Sequence, residues 1–140
     1  MTAYAEFIER KTQLDGMHGF EPEWMPDFLF PFQVELVEWS LRKGRAAIFA
    51  DCGLGKTPMQ LVWAENVQRH TGKPVLVMTP LAVSFQTEEE AAKFGIEAAT
   101  SRDGSITAPI TITNYDRLHY FDTTQFGGVV CDESSTPNAG

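Results

Sequence analysis

The sequence predicts an α/β fold in which a mostly parallel sheet carries helices on both faces. Short apolar runs of the kind that form buried strands alternate along the chain with segments of helical periodicity. Most of the candidate functional residues directly follow such a run. In parallel α/β sheets, ligands bind at the carboxyl ends of the strands. The 140 residues are enough for one domain with one core.

Composition excludes several other classes of protein. Hydrophobic residues make up 43% of the chain and charged residues 21%, which are ordinary values for a globular protein. No apolar run approaches the roughly 18–20 residues that span a bilayer. The N-terminus lacks the pattern of a secretory signal, so we expect a cytoplasmic protein without a membrane partner. Cys52 and Cys131 are too few for a disulfide scaffold and do not have the spacing of zinc ligands. The net charge of −8 gives no indication of the basic face that nucleic-acid-binding proteins usually have.

The elements are predicted in two regions. Residues 1–29 form an N-terminal lead-in, and its Gly and Pro content predicts an irregular segment that packs on the core through Phe20, Trp24, Met25 and Phe28. Residues 30–140 form the domain, which opens with a helix from Pro31 that ends at Gly44. Further helices are predicted from residue 58 to about residue 72, over 83–94 and over 115–120. Strands are predicted over 45–50, 74–79, 96–101, 110–113 and 128–132.

The segment ADCGLGKT, residues 50–57, matches the phosphate-binding loop pattern, with Ala50 in the place of the first glycine. Gly53 and Gly55 have no Cβ, so the backbone can wrap closely around a phosphate. Lys56 would add a charge for the β- and γ-phosphates, and the Thr57 hydroxyl would bind Mg²⁺. The residues predicted here to bind the nucleotide are Gly53, Leu54, Gly55, Lys56, Thr57 and Pro58. The alternative is a chance Gly-rich turn before a helix.

An acidic pair, Asp132 and Glu133, ends the last apolar run and resembles a Walker B element. Asp132 would hold Mg²⁺, and Glu133 would orient and polarise the attacking water. Alone, such a pair is more often a solvated turn. It lies 75 residues after Thr57 (57 to 132), on a separate predicted strand. Together with the loop, it predicts that Lys56, Asp132 and Glu133 are the catalytic residues.

Gln33 lies 17 residues before Ala50 (33 to 50) and is a candidate for base recognition. Its amide could pair with both N6 and N7 of adenine, which would select ATP over GTP. The alternative is an ordinary surface glutamine on a helix.

Segments 79–95 and 113–118 resemble helicase motifs Ia and Ib, and this resemblance implies that residues at the ends of two other strands contact a nucleic-acid backbone. They are Thr79, Pro80, Thr113 and Asn114. Hydroxyl, amide and nearby backbone N–H groups can donate to phosphates. Capping of the following helices by Thr and Asn explains the pattern equally well. The run Glu88, Glu89 and Glu90 is expected to be a solvated helix face.

Four runs together resemble a known family: FLFPFQVELVEWSLRKGRAAIFADCGLGKTPMQL, TPLAVSFQTEEEAAKFGI, NYDRLHYF and VVCDESS. Over about residues 20–135 the chain resembles the N-terminal RecA-like motor domain of superfamily 2 helicases and translocases, of phage and Swi/Snf-like type. The loop has that superfamily's A-x-x-G-x-G-K-T form, and DEAD-box and Swi/Snf-type ATPases place a glutamine at a similar offset. The resemblance implies a three-layer P-loop NTPase fold, with ATP and Mg²⁺ as cofactors. It also implies ATP hydrolysis coupled to unwinding of, or translocation on, nucleic acid, with DNA favoured as the partner.

The chain departs from this family after the acidic pair. Such proteins continue into a helix, then a strand that lies between the loop strand and the acidic strand, and then a second RecA-like lobe. Here the last residues are TPNAG, and Pro137 and Gly140 disfavour a helix. We therefore expect an incomplete RecA-like domain whose sheet lacks a central strand, with weak or no ATPase activity and no unwinding by this chain alone. Three interpretations stay open: a motor fragment, an ATP-binding module that complements a second lobe in trans, or an inactive remnant.

Overall fold

The computed structural model describes residues 19–44, 46–48 and 56–132 and confirms the α/β class. The helices are α1 (Pro31–Lys43), α2 (Lys56–Thr71) and α3 (Leu81–Lys93), with two short 3₁₀ helices, η1 (Tyr115–Tyr120) and η2 (Thr123–Gln125). The strands are β1 (Ala46–Ile48), β2 (Val75–Thr79), β3 (Ala98–Thr100), β4 (Ile110–Asn114) and β5 (Gly128–Cys131). Each helix and strand predicted within these ranges is present, with bounds that differ by a few residues. None of these helices has the length and apolar character needed to cross a membrane.

The five strands form one parallel sheet in the order β1-β5-β2-β4-β3. Because all strands run in the same direction, their carboxyl ends lie at one edge. The family's central strand would lie between β1 and β5, but in the described sheet these two strands are direct neighbours, so the missing strand leaves no unpaired edge there. Residues 46–48 of β1 pair directly with residues 129–131 of β5. The backbone groups of the two strands therefore satisfy each other without an intervening strand.

Side chains alternate between the two faces of the sheet, and each face carries its own apolar cluster. Helices α2 and α3 pack on the face that presents Val75, Val77 and Val130, and α1 packs on α2. The opposite face presents Leu76 and Met78, and it is covered by apolar side chains of residues 106–126. Helices were expected on both faces. In the part of the chain that the structure describes, the second layer consists of 3₁₀ turns, because the connection from β4 to β5 spans only residues 115–127.

The lead-in packs on the core as predicted. Phe20, Trp24 and Met25 are partly buried against the apolar cluster under the α-helices. Phe28 is 42% exposed, but its ring stacks on Phe94 with a centroid distance of 4.6 Å. The described part of the lead-in therefore joins the domain.

The expectation that residues 88–90 form a solvated helix face was wrong for Glu88. Its side chain is half-buried, and its Oε1 atom accepts hydrogen bonds from the backbone N–H (3.2 Å) and the hydroxyl (2.7 Å) of Thr100. Glu88 lies on α3 and Thr100 on β3, so the contact ties the edge strand to the helix layer.

We expect Glu88→Ala to lower the free energy of unfolding by about 1–3 kcal/mol, because Thr100 loses an ionised acceptor. The exposed neighbour Glu89 provides the matched control, and Glu89→Ala should stay within about 0.5 kcal/mol of wild type. Urea denaturation of the two variants measures the difference. Equal effects would show that the Glu88–Thr100 contact does not contribute.

Candidate functional site

The carboxyl edge of the sheet holds two of the predicted site residues in contact. Asp132 directly follows β5, and Lys56 is the first residue of α2. The Lys56 Nζ atom lies 2.8 Å from Asp132 Oδ1, and the two side chains are 15% and 6% exposed. The two residues meet although they are far apart in sequence, because α2 begins at the edge where β5 ends. The result is a largely buried, charge-assisted hydrogen bond.

Three different elements hold Asp132. Its carboxylate pairs with Lys56 on α2, and its backbone N–H donates to the Met78 carbonyl of β2 over 2.9 Å. Its own carbonyl accepts a hydrogen bond from the Tyr115 hydroxyl, at the start of η1. Sequence reasoning missed Tyr115 as part of the site. The sequence could have indicated Tyr115, because this residue directly follows a predicted strand, at the edge of the sheet where ligands bind.

The rest of the phosphate loop is described only in part. Thr57 and Pro58 lie in the first turn of α2, and both are half-buried. A proline is tolerated there because the first turn has no intrahelical partner for its N–H. Gly53, Leu54, Gly55 and Glu133 lie outside the described residues.

The oxygen donors at this edge suit Mg²⁺. The carboxylate of Asp132 and the hydroxyl of Thr57 are hard ligands of the kind that Mg²⁺ prefers. Within the described ranges, no group of three or more His, Cys, Asp and Glu side chains could hold a metal ion. Mg²⁺ does not require such a group, since it commonly takes one or two protein ligands and completes its shell with phosphates and water.

Gln33 lies in the first turn of α1 and is 3% exposed, so the alternative of an ordinary surface glutamine was wrong. Its Oε1 atom accepts a hydrogen bond from the Phe30 N–H over 2.8 Å. This bond satisfies a backbone donor at the start of the helix, a role that the sequence analysis did not consider. A carbonyl oxygen has a second lone pair, so capping does not exclude base recognition. The adenine role stays a prediction.

The four candidate nucleic-acid residues are buried. The Thr79 hydroxyl bonds the Ser84 hydroxyl at 2.8 Å and the Pro80 carbonyl at 3.1 Å. The Thr113 hydroxyl is buried without a hydrogen-bond partner in the described structure, and Asn114 pairs with Thr79 in the sheet. Asn114 precedes η1 without a side-chain capping bond, so the capping alternative was wrong for this residue. In this conformation the four residues present almost no surface to a nucleic acid, and the nucleic-acid role stays a prediction.

The fold and the site define an α/β protein with a parallel sheet and a lysine–aspartate pair at the carboxyl edge of that sheet. No protein-family model matches the sequence. The chain is 30% identical, over the aligned region, to protein p41 of Acyrthosiphon pisum secondary endosymbiont phage 1. The similarity covers 75% of this chain and 27% of the phage protein. The chain therefore spans about a quarter of the length of this curated relative.

Proposed function

We propose that this chain is an ATP-binding, RecA-like P-loop NTPase domain of the superfamily 2 type. Its role would be that of the N-terminal motor domain of an ATP-dependent helicase or translocase acting on DNA. The observation that carries the proposal is the contact between Lys56 Nζ and Asp132 Oδ1. The loop motif and the acidic strand end are separate patterns in the sequence. Their contact at the ligand-binding edge of a parallel sheet supports a single nucleotide site.

The contact also supports a mode of binding. Lys56 begins a helix of 16 residues, and the positive end of the helix dipole favours a phosphate at this position. On binding, the Lys56 ammonium would turn from Asp132 to the β- and γ-phosphates. The Asp132 carboxylate and the Thr57 hydroxyl would then be available as Mg²⁺ ligands. When bound, Mg²⁺ would neutralise charge on the phosphates. Glu133, by its place in the motif, would orient the attacking water.

Turnover requires more than this site. In related phosphoryl-transfer enzymes an arginine from outside the nucleotide cradle speeds the reaction by about 10³–10⁵. A second RecA-like lobe, in cis or in trans, would supply that arginine and would close on the first lobe to move along DNA. We therefore expect the 140-residue chain to bind ATP but to hydrolyse it weakly and to unwind nothing alone. The second candidate function, a stand-alone ATP-binding module that complements a lobe in trans, uses the same site.

The proposal is tested by titrating the purified chain with Mg-ATP and with Mg-GTP in a calorimeter. We expect saturable binding of ATP and weaker binding of GTP. Circular dichroism on the same sample establishes that the chain is folded. A folded chain that binds neither nucleotide would overturn the proposal.

Gln33→Glu separates the capping role of Gln33 from its proposed recognition of adenine. The carboxylate still accepts the hydrogen bond from the Phe30 N–H, so the thermal midpoint should stay within a few degrees of wild type. The lost amide donor would have bonded N7, which adenine and guanine share, so this loss weakens both nucleotides. The charged acceptor strengthens the bond from N6 of adenine and repels O6 of guanine, so the ratio of ATP to GTP affinity should rise by up to about tenfold.

The affinity ratio is the correct readout because an added negative charge weakens both nucleotides alike. Gln33→Ala serves as the comparison, since it removes both roles. It should lower the thermal midpoint and the affinity ratio together. An unchanged ratio in Gln33→Glu would restrict Gln33 to capping α1.

A further inference from the structure

Tyr115 reaches across the sheet edge to the acidic end of β5. It directly follows β4, and β2 lies between β4 and β5. Its hydroxyl nevertheless donates to the backbone carbonyl of Asp132. Its ring packs, partly buried, against the apolar cluster that contains Met78 and Cys131. The side chain therefore spans the end of β2 and touches the peptide next to the proposed Mg²⁺ ligand.

The ring is suited to fix that peptide. A tyrosine side chain has only two main torsions, and packing of the ring restricts both. The hydroxyl at its end is consequently held at a fixed height over the sheet edge. The bonded carbonyl belongs to Asp132 itself, so the hydroxyl restrains the backbone of the residue that carries the carboxylate.

The contact with Asp132 matters most once a nucleotide binds. In the structure Lys56 orients the carboxylate, with its Nζ atom 2.8 Å from Asp132 Oδ1. In the proposed binding mode that ammonium moves to the phosphates. The backbone contacts of Asp132 with Met78 and with Tyr115 do not involve the phosphates, so they persist after Lys56 has moved.

We propose that Tyr115 is a positioning residue, whose hydroxyl keeps Asp132 oriented as a Mg²⁺ ligand after Lys56 has turned to the phosphates. This inference rests on the proposed ATP-binding function. It predicts that the Tyr115 hydroxyl contributes to the Mg²⁺-dependent part of nucleotide affinity and not to the Mg²⁺-independent part.

The experiment uses the full chain with Tyr115→Phe, which keeps the ring and removes the hydroxyl. Tyr120→Phe is the matched control, because Tyr120 ends the same 3₁₀ helix and is 50% exposed. Affinity for a fluorescent ATP analogue is measured with saturating Mg²⁺ and with EDTA. For Tyr115→Phe we expect a loss of about tenfold with Mg²⁺, the equivalent of one hydrogen bond, and at most about twofold with EDTA. Tyr120→Phe should match wild type in both.

An equal loss in Mg²⁺ and EDTA would indicate general destabilisation and would overturn the proposal, as would no loss in either. Hydrogen exchange at the Asp132 amide gives a readout that needs no nucleotide. We expect exchange there to be about tenfold faster in Tyr115→Phe than in Tyr120→Phe, since the backbone of Asp132 loses one of the two hydrogen bonds described for it. If wild type binds no nucleotide but exchange rises, the proposed function fails while Tyr115 still fixes the peptide. If exchange is unchanged, the positioning role itself fails.

Discussion

Lys56→Met is expected to abolish measurable Mg-ATP binding and also to destabilise the ligand-free protein. The first effect follows from the loss of the cation proposed to bind the β- and γ-phosphates. The second follows from Asp132, whose carboxylate is 6% exposed and would lose the ammonium now 2.8 Å away. Removing one partner of a buried ion pair costs about 3–5 kcal/mol. Because the lysine side chain keeps 15% exposure, we expect about 2–3 kcal/mol here.

A double variant separates these two effects. Lys56→Met combined with Asp132→Asn replaces the ion pair with two neutral side chains of similar size. Such replacements are often neutral for stability. The double variant should therefore recover most of the lost free energy of unfolding in urea but should not recover nucleotide binding. Asp132→Asn alone leaves the ammonium without its carboxylate and should also lower stability.

Lys43→Met is the control for a general loss of positive charge. Lys43 is exposed at the end of α1, where its ammonium lies 5.3 Å from the centre of the Trp39 ring. We expect a change in unfolding free energy below about 1 kcal/mol and unchanged nucleotide affinity. If Lys56→Met bound ATP with wild-type affinity, the assignment of residues 50–57 as a phosphate-binding loop would be wrong. Wild-type stability would instead show that the ion pair contributes nothing to the ligand-free fold.

The sequence predicts the elements well because their signals are local. The helical spacing before Gly44 and the apolar runs that became β2, β4 and β5 depend on neighbouring residues alone. Placement of Lys56 and Asp132 at one edge was also predictable, since it follows from parallel strands that alternate with helices.

Strand order and burial were harder to predict. Pairing of β1 with β5 joins segments about 80 residues apart, and which strands become neighbours depends on the whole sheet. The burial of Thr79 and Asn114 depends on how α3 and η1 fold back over the strand ends. A local pattern contains neither kind of information. Gln33 is different, because its spacing of three residues from Phe30 could have suggested a capping role.

Asn66 is a buried polar residue of α2 that sequence reasoning overlooked, and Asn66→Ala should release the lead-in from the domain. The side chain is fully buried. Its Oδ1 atom accepts from the backbone N–H groups of Glu23 (2.7 Å) and Trp24 (2.8 Å). Its Nδ2 atom donates to the carbonyls of Trp24 (2.7 Å) and Val62 (2.9 Å). Truncation leaves the lead-in groups without partners, and each buried unsatisfied group costs about 1–3 kcal/mol.

We expect the free energy with which residues 20–28 dock on the domain to fall by about 3 kcal/mol. Hydrogen exchange of the amides in this segment measures the change. Gln68→Ala is the matched control: Gln68 lies on the same helix, is half-buried, and should change docking by less than about 0.5 kcal/mol. In Asn66→Ala the amides of the sheet should stay protected from hydrogen exchange, because opening the lead-in requires less free energy than unfolding the domain. The global loss therefore cannot exceed the free energy with which the lead-in docks. Retained protection of residues 20–28 would mean that other contacts hold this segment, such as the Phe20 ring stacked on His70 at 3.9 Å.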